Sequence, residues 1–332
     1  VRKHWLIVGL VVLALLAAGC GPAADDGNGE EAGGEAAQSY HMVISTGGTS
    51  GSYFPMGGAI ANVITNYVEG ASATAQTSGG SIENLKLIER GESEMGLAQN
   101  DLADYAFKGI EMFEQKLTKA RAIATFYPEL VQIVVRADKN VKNIEDIKGL
   151  KISVGPPGSG SEANARQFLE ILGITYDTFQ PQFLSNTDAA DQLKDNVIDG
   201  MIITSGLPSP AIMDIALLSD VNVIGFTEEQ LAAILDKMDF FTPETIPAGT
   251  YEGQEEDVVT IAVQAVLFIS EDIPEDVVYG ITKAIWEHKD ELVMAMSKAE
   301  HMDPDDPVKG VTVPVHPGAL KYYNEIGVSV NK

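Results

Sequence analysis

The sequence predicts a two-lobed α/β fold with a ligand cleft between the lobes. Three observations carry that reading. Beyond residue 40, short β-rich runs alternate with segments of helical period, the pattern of strands covered by helices. The alternation comes in two successive series. Two apolar, β-branched stretches, 131–136 and 258–269, are placed to run between the series.

In the first series, residues 41–46 (HMVIST) read as a strand and 47–53 as a Gly/Ser/Thr loop. A helix follows over 55–69, opened by Pro55, with Met56, Ile60, Val63, Ile64 and Tyr67 at helical spacing. Strands at 71–76, 94–98 and 122–126 follow, with a helix over 81–89 and another after residue 101. The second series has strands at 151–154, 182–184, 199–204 and 222–226, with helices over 161–172 and 189–196. A long helical segment, 275–298, carries Trp286. Such alternation predicts a mostly parallel sheet. Residues 40–133 and 264–332 are assigned to lobe I and 134–263 to lobe II. The hinge is expected at 131–136 and 258–269.

The 332 residues include 45% hydrophobic and 21% charged side chains, a globular composition, with a formal net charge of -26. That charge repels phosphates, which argues against a nucleic-acid partner and against binding to anionic membrane surfaces. The first 20 residues read as a targeting segment: Arg2 and Lys3, an apolar run over 6–18, then small residues before Cys20. The end of this run resembles a bacterial lipobox, with Ala17 where that pattern prefers Leu. The resemblance implies that Cys20 is lipidated and anchors the chain to a membrane, placing it outside the cytoplasm, on the cell membrane or in the periplasm. Cys20 is the sole cysteine, so there is no intramolecular disulfide and no thiol pair. Residues 21–39 are Gly, Ala and acid, the composition of a flexible tether. Beyond the tether the body keeps 20 basic and 43 acidic residues, a net of -23.

In open α/β sheets ligands sit beyond the carboxyl ends of strands. Five such loops offer glycine and small neutral donors just before a helix. The candidate ligand-binding residues are Thr46, Gly47, Gly48 and Tyr53, then Ser78, Gly79 and Gly80, then Gln99, Asn100 and Asp101, then Ser159, Gly160 and Ser161, and Gly206. Glycine admits close backbone approach, and helix N-termini present free N–H groups in a positive field, a combination suited to a carboxylate. The same residues also suit plain turns: Ser159 with Glu162 fits a capping box, and Ser81 with Asn84 a looser cap. No Walker lysine or dinucleotide spacing is present in the 47–51 loop, so no nucleotide cofactor is expected. Of the five histidines, His4, His41, His288, His301 and His316, none lies in these loops or at metal-ligand spacing, and no nucleophile elbow occurs. Neither a catalytic set nor a metal site is expected.

Five ordered runs resemble the TAXI-type solute receptors of TRAP transporters. They are Ser45-Thr46-Gly47-Gly48-Thr49-Ser50-Gly51-Ser52-Tyr53-Phe54-Pro55, Thr77-Ser78-Gly79-Gly80-Ser81-Ile82-Glu83-Asn84-Leu85, Gly155-Pro156-Pro157-Gly158-Ser159-Gly160-Ser161-Glu162, Ile246-Pro247-Ala248-Gly249-Thr250-Tyr251 and Pro314-Val315-His316-Pro317-Gly318-Ala319. The resemblance covers about residues 41–327. It implies a type II periplasmic-binding-protein fold, a pair of membrane permease subunits driven by an ion gradient, and a small organic acid or amino acid ligand such as glutamate, glutamine or 2-oxoglutarate. The other TRAP receptor class grips its carboxylate with an arginine. Here Arg90, Arg121, Arg136 and Arg166 all lie outside the loops, which leaves backbone N–H groups and hydroxyls as anchors. The run around His316 reads as structural. An ABC-transporter receptor, a signalling ectodomain and an enzyme of the same architecture remain alternatives; the enzyme alternative lacks a cysteine for an anchored cofactor.

Overall fold

The computed structural model describes residues 39–330. The targeting segment, Cys20 and nearly all of the tether lie outside the described residues.

The first series forms β1 (Tyr40–Ser45), α1 (Tyr53–Tyr67), β2 (Ala71–Gln76), α2 (Ser81–Arg90), β3 (Met95–Gln99) and α3 (Asn100–Lys108). Helix α1 starts two residues ahead of Pro55. The proline still falls in the first turn, where its missing N–H is not needed. Met56, Ile60, Val63 and Ile64 turn inward as the period predicts. Helix α2 stops at Gly91, which takes the left-handed conformation at φ 69.

Strand β4 runs unbroken over Ala120–Arg136, where the sequence predicts two strands. Pro128 falls where β4 changes neighbours, and there the missing N–H is tolerated. The second series gives β5 (Lys151–Ser153), α4 (Gly160–Ile171), β6 (Gln180–Gln182), α5 (Asn186–Lys194), β7 (Gly200–Gly206), α6 (Pro210–Leu218), β8 (Val221–Ile224), α7 (Glu228–Leu235) and β9 (Thr242–Ile246). Strand β10 (Val258–Ser270) returns through the molecule, and α8 (Glu275–Glu287), α9 (Lys289–Ala295) and α10 (Pro317–Glu325) close the chain. The long helical segment is thus two helices broken at His288, followed by a 3₁₀ turn, Ser297–His301. Helices α6, α7 and α10 and strand β9 go beyond the sequence reading. His316 caps α10, its Nδ1 accepting the Gly318 N–H at 3.1 Å, which agrees with a structural role.

The strand order is β2-β1-β3-β10-β4-β7-β5-β6, with β8 also on β4 and β9 on β10. The expectation of a mostly parallel sheet needs correction. β1 pairs β2 and β3 in parallel, as β5 pairs β6 and β7, but every pairing of β4 and β10 with another of these strands is antiparallel. These two strands pass through both lobes in opposite directions, so neither can match the local strand direction throughout. Around Tyr127–Leu130 and Ala262–Ala265 the partners switch. β10 leaves β9 after Ala262 and joins β3 at Ala265, while β4 joins β7 at Glu129. A register shift falls between Ala265 and Val266, opposite the same point. The crossover therefore lies slightly before the expected 131–136 stretch.

Two buried apolar clusters flank the sheet in each lobe. Ile60, Ile64, Phe126 and Leu267 belong to one cluster of lobe I, and Leu102, Phe268 and Tyr323 to the other. In lobe II, Phe168, Ile202 and Val263 pack in one cluster and Leu193, Ile212 and Tyr251 in the other. Each lobe thus holds its own core, and the loops beyond the strand ends are left to face each other. Among the described residues no helix is long and apolar enough to cross a membrane.

Candidate functional site

The segments that follow β1, β2, β3, β5, β6 and β7 converge on a cavity of about 210 Å³. The β1–α1 loop contributes Gly47, Gly48, Gly51 and Ser52, with Tyr53 at the start of α1. The β2–α2 connection contributes Ser78, Gly79, Gly80 and Ser81. Gln99 ends β3, and Glu129 points in from the middle of β4. From lobe II come Pro156, Ser159, Gly160, Ser161, Ser185, Asn186, Thr204 and Ser205.

The two sets of loops touch. Thr187 Oγ1 bonds Ser50 Oγ at 2.8 Å and Ser52 Oγ bonds Ser205 Oγ at 3.1 Å. Gly80, at φ +109, brings its backbone against Ser159; an ideal Cβ there would lie 3.5 Å from the Ser159 Cα, in a conformation that side chains rarely adopt. Asn84 fastens the lobe I loops. Its Nδ2 donates to the carbonyls of Thr46 and Leu97 at 2.6 and 2.7 Å, and its Oδ1 accepts Ser78 Oγ at 2.6 Å.

Helix α4 aims its N-terminus at the cavity. Ser159 is its N-cap, Oγ accepting the Glu162 N–H at 3.1 Å, so the Ser159 hydroxyl proton is free to point elsewhere. The reciprocal half of the expected capping box does not form, because the Glu162 carboxylate turns to Arg166 and Tyr176. Gly160 and Ser161 open the helix, and their N–H groups precede its own ladder. The Ser161 hydroxyl is already spent, accepting the Thr204 N–H at 2.9 Å and reaching the Thr204 carbonyl at 3.4 Å.

The floor of the cavity is a buried ionisable group. Glu129 is 3% exposed and accepts the Tyr53 hydroxyl at 2.7 Å. Burial pushes its carboxyl up to about 8, with hydrogen bonds from Tyr53 and Gln99 and the charge of Lys298 working the other way. Burial lowers the Lys298 ammonium to about 8, and Glu129 opposes that shift. Lys298 Nζ donates to Ser52 Oγ at 3.0 Å. At neutral pH the floor therefore holds a neutral carboxyl and a cation one serine away from the lining. That arrangement accepts an anion without like-charge repulsion.

Ten of the residues singled out in the sequence line the cavity: Gly47, Gly48, Tyr53, Ser78, Gly79, Gly80, Gln99, Ser159, Gly160 and Ser161. Four do not. The Thr46 hydroxyl donates to the Gln76 carbonyl at 2.6 Å. Asn100 bridges the Gly310 carbonyl and the Gln264 N–H. Asp101, fully buried, accepts Asn164 Nδ2 at 2.8 Å; burial raises its carboxyl to about 6. Gly206 pairs with Glu129 in the sheet and packs against Lys298 and Tyr127. Thr46, Asn100 and Asp101 bond protein groups, because a polar residue at a strand end is as useful for closing a loop as for meeting a ligand, and Gly206 stays in the sheet. The sequence reading missed Glu129, Ser185 and Asn186, which line the cavity, and Lys298, which bonds Ser52 behind the lining. Glu129 sits inside a β-rich run and Lys298 at the end of a helical one, so neither carries a local signal. The four arginines are paired with Glu92, Glu271, Asp138 and Glu162, away from the cavity. Among the described residues no group of three or more His, Cys, Asp or Glu is placed to hold a metal.

Residues 44–327 match the NMT1-like family. Similar solved structures share the fold at low identity. A protein from Bordetella bronchiseptica RB50 superposes at TM-score 0.56 with 15% identity, over 86% of this chain and 98% of its own. The periplasmic binding protein BugD superposes at 0.54 with 12% identity, over 87% and 98%. A structure from a study of glutathione import through GshT and the cystine ABC importer TcyBC of Streptococcus mutans superposes at 0.50 with 12% identity, over 79% and 95%. The architecture is thus the two-lobed fold of periplasmic binding proteins.

Proposed function

The chain belongs to the NMT1-like family, and on that premise we propose that it is an extracytoplasmic solute-binding protein for a small carboxylate. Glutamate, 2-oxoglutarate and acids of that size are the ligands in view, handed on to the membrane permease of a TRAP transporter. The TAXI-like runs support the TRAP assignment: three of them supply cavity-lining residues, in the loops after β1, β2 and β5. Lipidation at Cys20 would keep the protein at the membrane that holds its permease.

One observation carries the reading: the N-terminus of α4 opens on a small cavity lined by hydroxyls and glycine backbone, with no arginine. A cavity of about 210 Å³ is smaller than the roughly 300–1,000 Å³ that accommodates drug-sized ligands, and suits a small metabolite. Hydrogen bonds to a charged group contribute about 1.5–3 kcal/mol each, so a few oriented N–H donors suffice to hold an anion on a body of net charge -23. Mass spectrometry of what the purified chain carries identifies the acid. Titration then tests the site: Ser159→Ala is expected to cost about 1–2 kcal/mol, roughly a 5–30-fold rise in Kd. Equal affinity in the folded variant would place the anion elsewhere.

The lobes, 40–133 with 264–332 and 134–263, are expected to close over the ligand about the β4–β10 crossover. Saturating ligand should shrink the radius of gyration in solution scattering; identical curves would count against a hinge. A receptor for an ABC importer is the second reading, favoured by the GshT-related structure's association with such an importer. A neighbouring gene for an ATPase rather than a large permease would select it.

A further inference from the structure

The run from Ile246 to Tyr251 reaches no part of the cavity lining, yet its last residue is tied to that lining by hydrogen bonds. Tyr251 is 3% exposed and packs with Ile246, Ile212 and Ala262. Its phenol oxygen accepts the Ser209 N–H at 2.8 Å and donates to Gln132 Oε1. Gln132 lies on β4, fully buried, and its Nε2 donates to the Ser205 carbonyl at 3.0 Å. One phenol therefore holds both ends of the exit from β7, Ser209 directly and Ser205 through Gln132. Ser205 lines the cavity, and its Oγ meets Ser52 Oγ at 3.1 Å, the same atom that accepts Lys298 Nζ.

We propose that Tyr251, acting through Gln132, is a positioning residue for the ligand site: it fixes the 205–209 segment so that the Ser205 hydroxyl stays on the cavity wall against Ser52. The physical case rests on burial. A dry phenol, amide and backbone pair cannot trade their bonds for water, so each constrains the next. The segment needs such a hold. Gln132 Nε2 takes the Ser205 carbonyl just where β7 ends, and the following residues are Gly206, Leu207, Pro208 and Ser209, two of which lack either a side chain or an N–H. The ring alone accounts for packing in the lobe II core; the hydroxyl, with its two partners, is the part that acts on the site. The affinity arm of this inference rests on the proposed carboxylate function, and the exchange arm does not.

The test uses the full chain with Tyr251→Phe, which keeps the ring and removes the hydroxyl. Hydrogen–deuterium exchange should speed up in peptides spanning 204–209 and remain at the parental rate across α1, α2 and β1. L-Glutamate and 2-oxoglutarate, titrated separately, should bind about 5–10-fold more weakly to the variant. Ser205→Ala combined with Tyr251→Phe should lose little more than the larger single loss, because both act through one hydroxyl. Gln132→Met cuts the other arm and should reproduce the local exchange change if Tyr251→Phe does not fold. Parental exchange at 204–209 in a folded Tyr251→Phe overturns the proposal, as do parental affinity and additive losses with Ser205→Ala. If the parent binds neither acid, the carboxylate reading fails and the exchange result alone decides the positioning role.

Discussion

Gly160→Ala is expected to weaken ligand binding about 100-fold while the chain stays folded. A Cβ at this position would lie 2.1 Å from Gln99 Oε1, 2.4 Å from its Cδ and 2.8 Å from its Nε2. The Gln99 side chain has little room to move: it is 1% exposed and its amide is bonded to Glu129. Either α4 shifts its N-terminus away from the cavity or Gln99 rotates and abandons Glu129. Both outcomes spoil the donor geometry at which the anion would sit. A 100-fold loss corresponds to about 2.7 kcal/mol. The cost of overpacking to the fold itself should be about 1–3 kcal/mol. Gly58→Ala is the control, since a Cβ there meets nothing within 4 Å. Calorimetry with circular dichroism reads the result, and a folded Gly160→Ala that binds like the parent would remove α4 from the site.

Glu129→Gln should change how stability and affinity depend on pH. The folded carboxyl, at about 8, keeps a proton that an ordinary glutamate releases near 4.3. Its contribution is therefore fully present at low pH and is lost as pH rises toward 8, at about 1.4 kcal/mol per pH unit. Asp101, raised to about 6, acts in the same sense but finishes earlier. Lys298, lowered to about 8, acts in the opposite sense and only above that pH. Tyr53 and Tyr127, also facing Glu129, are raised by burial and stay protonated throughout. Between pH 6.5 and 8 the parent should lose about 2 kcal/mol relative to Glu129→Gln in urea unfolding. Above pH 8 the parent's cavity floor becomes anionic while Lys298 discharges, so affinity for a carboxylate should fall steeply. Glu129→Gln should keep the part of that affinity which depends on Glu129. Parallel pH profiles for parent and variant would show that this carboxyl is already ionised in the fold.

Much of the architecture is legible in the sequence because strand and helix periods dominate buried segments. Strand β2 falls where the pattern puts it, and α2 and α4 start within a residue of expectation. What failed has particular causes. The pattern suggests a strand over 122–126 and a separate stretch over 131–136, yet β4 runs through both, exchanging one neighbour for another near Pro128. The antiparallel core is invisible locally, since strand direction depends on where a chain returns rather than on its residues. The glycine and serine loops announce the cavity because ligand approach and helix starts both select them. Asn100 and Asp101 have the same chemistry as Gln99 but are turned to protein partners. Glu129 reaches the cavity through the crossover, and Lys298 reaches Ser52 of its lining from the turn after α9, contacts that span far more sequence than any motif.

Titration calorimetry of the ligand-free chain with glutamate and 2-oxoglutarate at pH 7 bears most directly on the central claim, that the α4 N-terminus and the glycine–serine loops hold a small carboxylate. Saturable binding of one equivalent, weakened about 5–30-fold by Ser159→Ala and still further by Gly160→Ala, is the predicted result. No heat with any small carboxylate, or affinity unchanged in both folded variants, would contradict it.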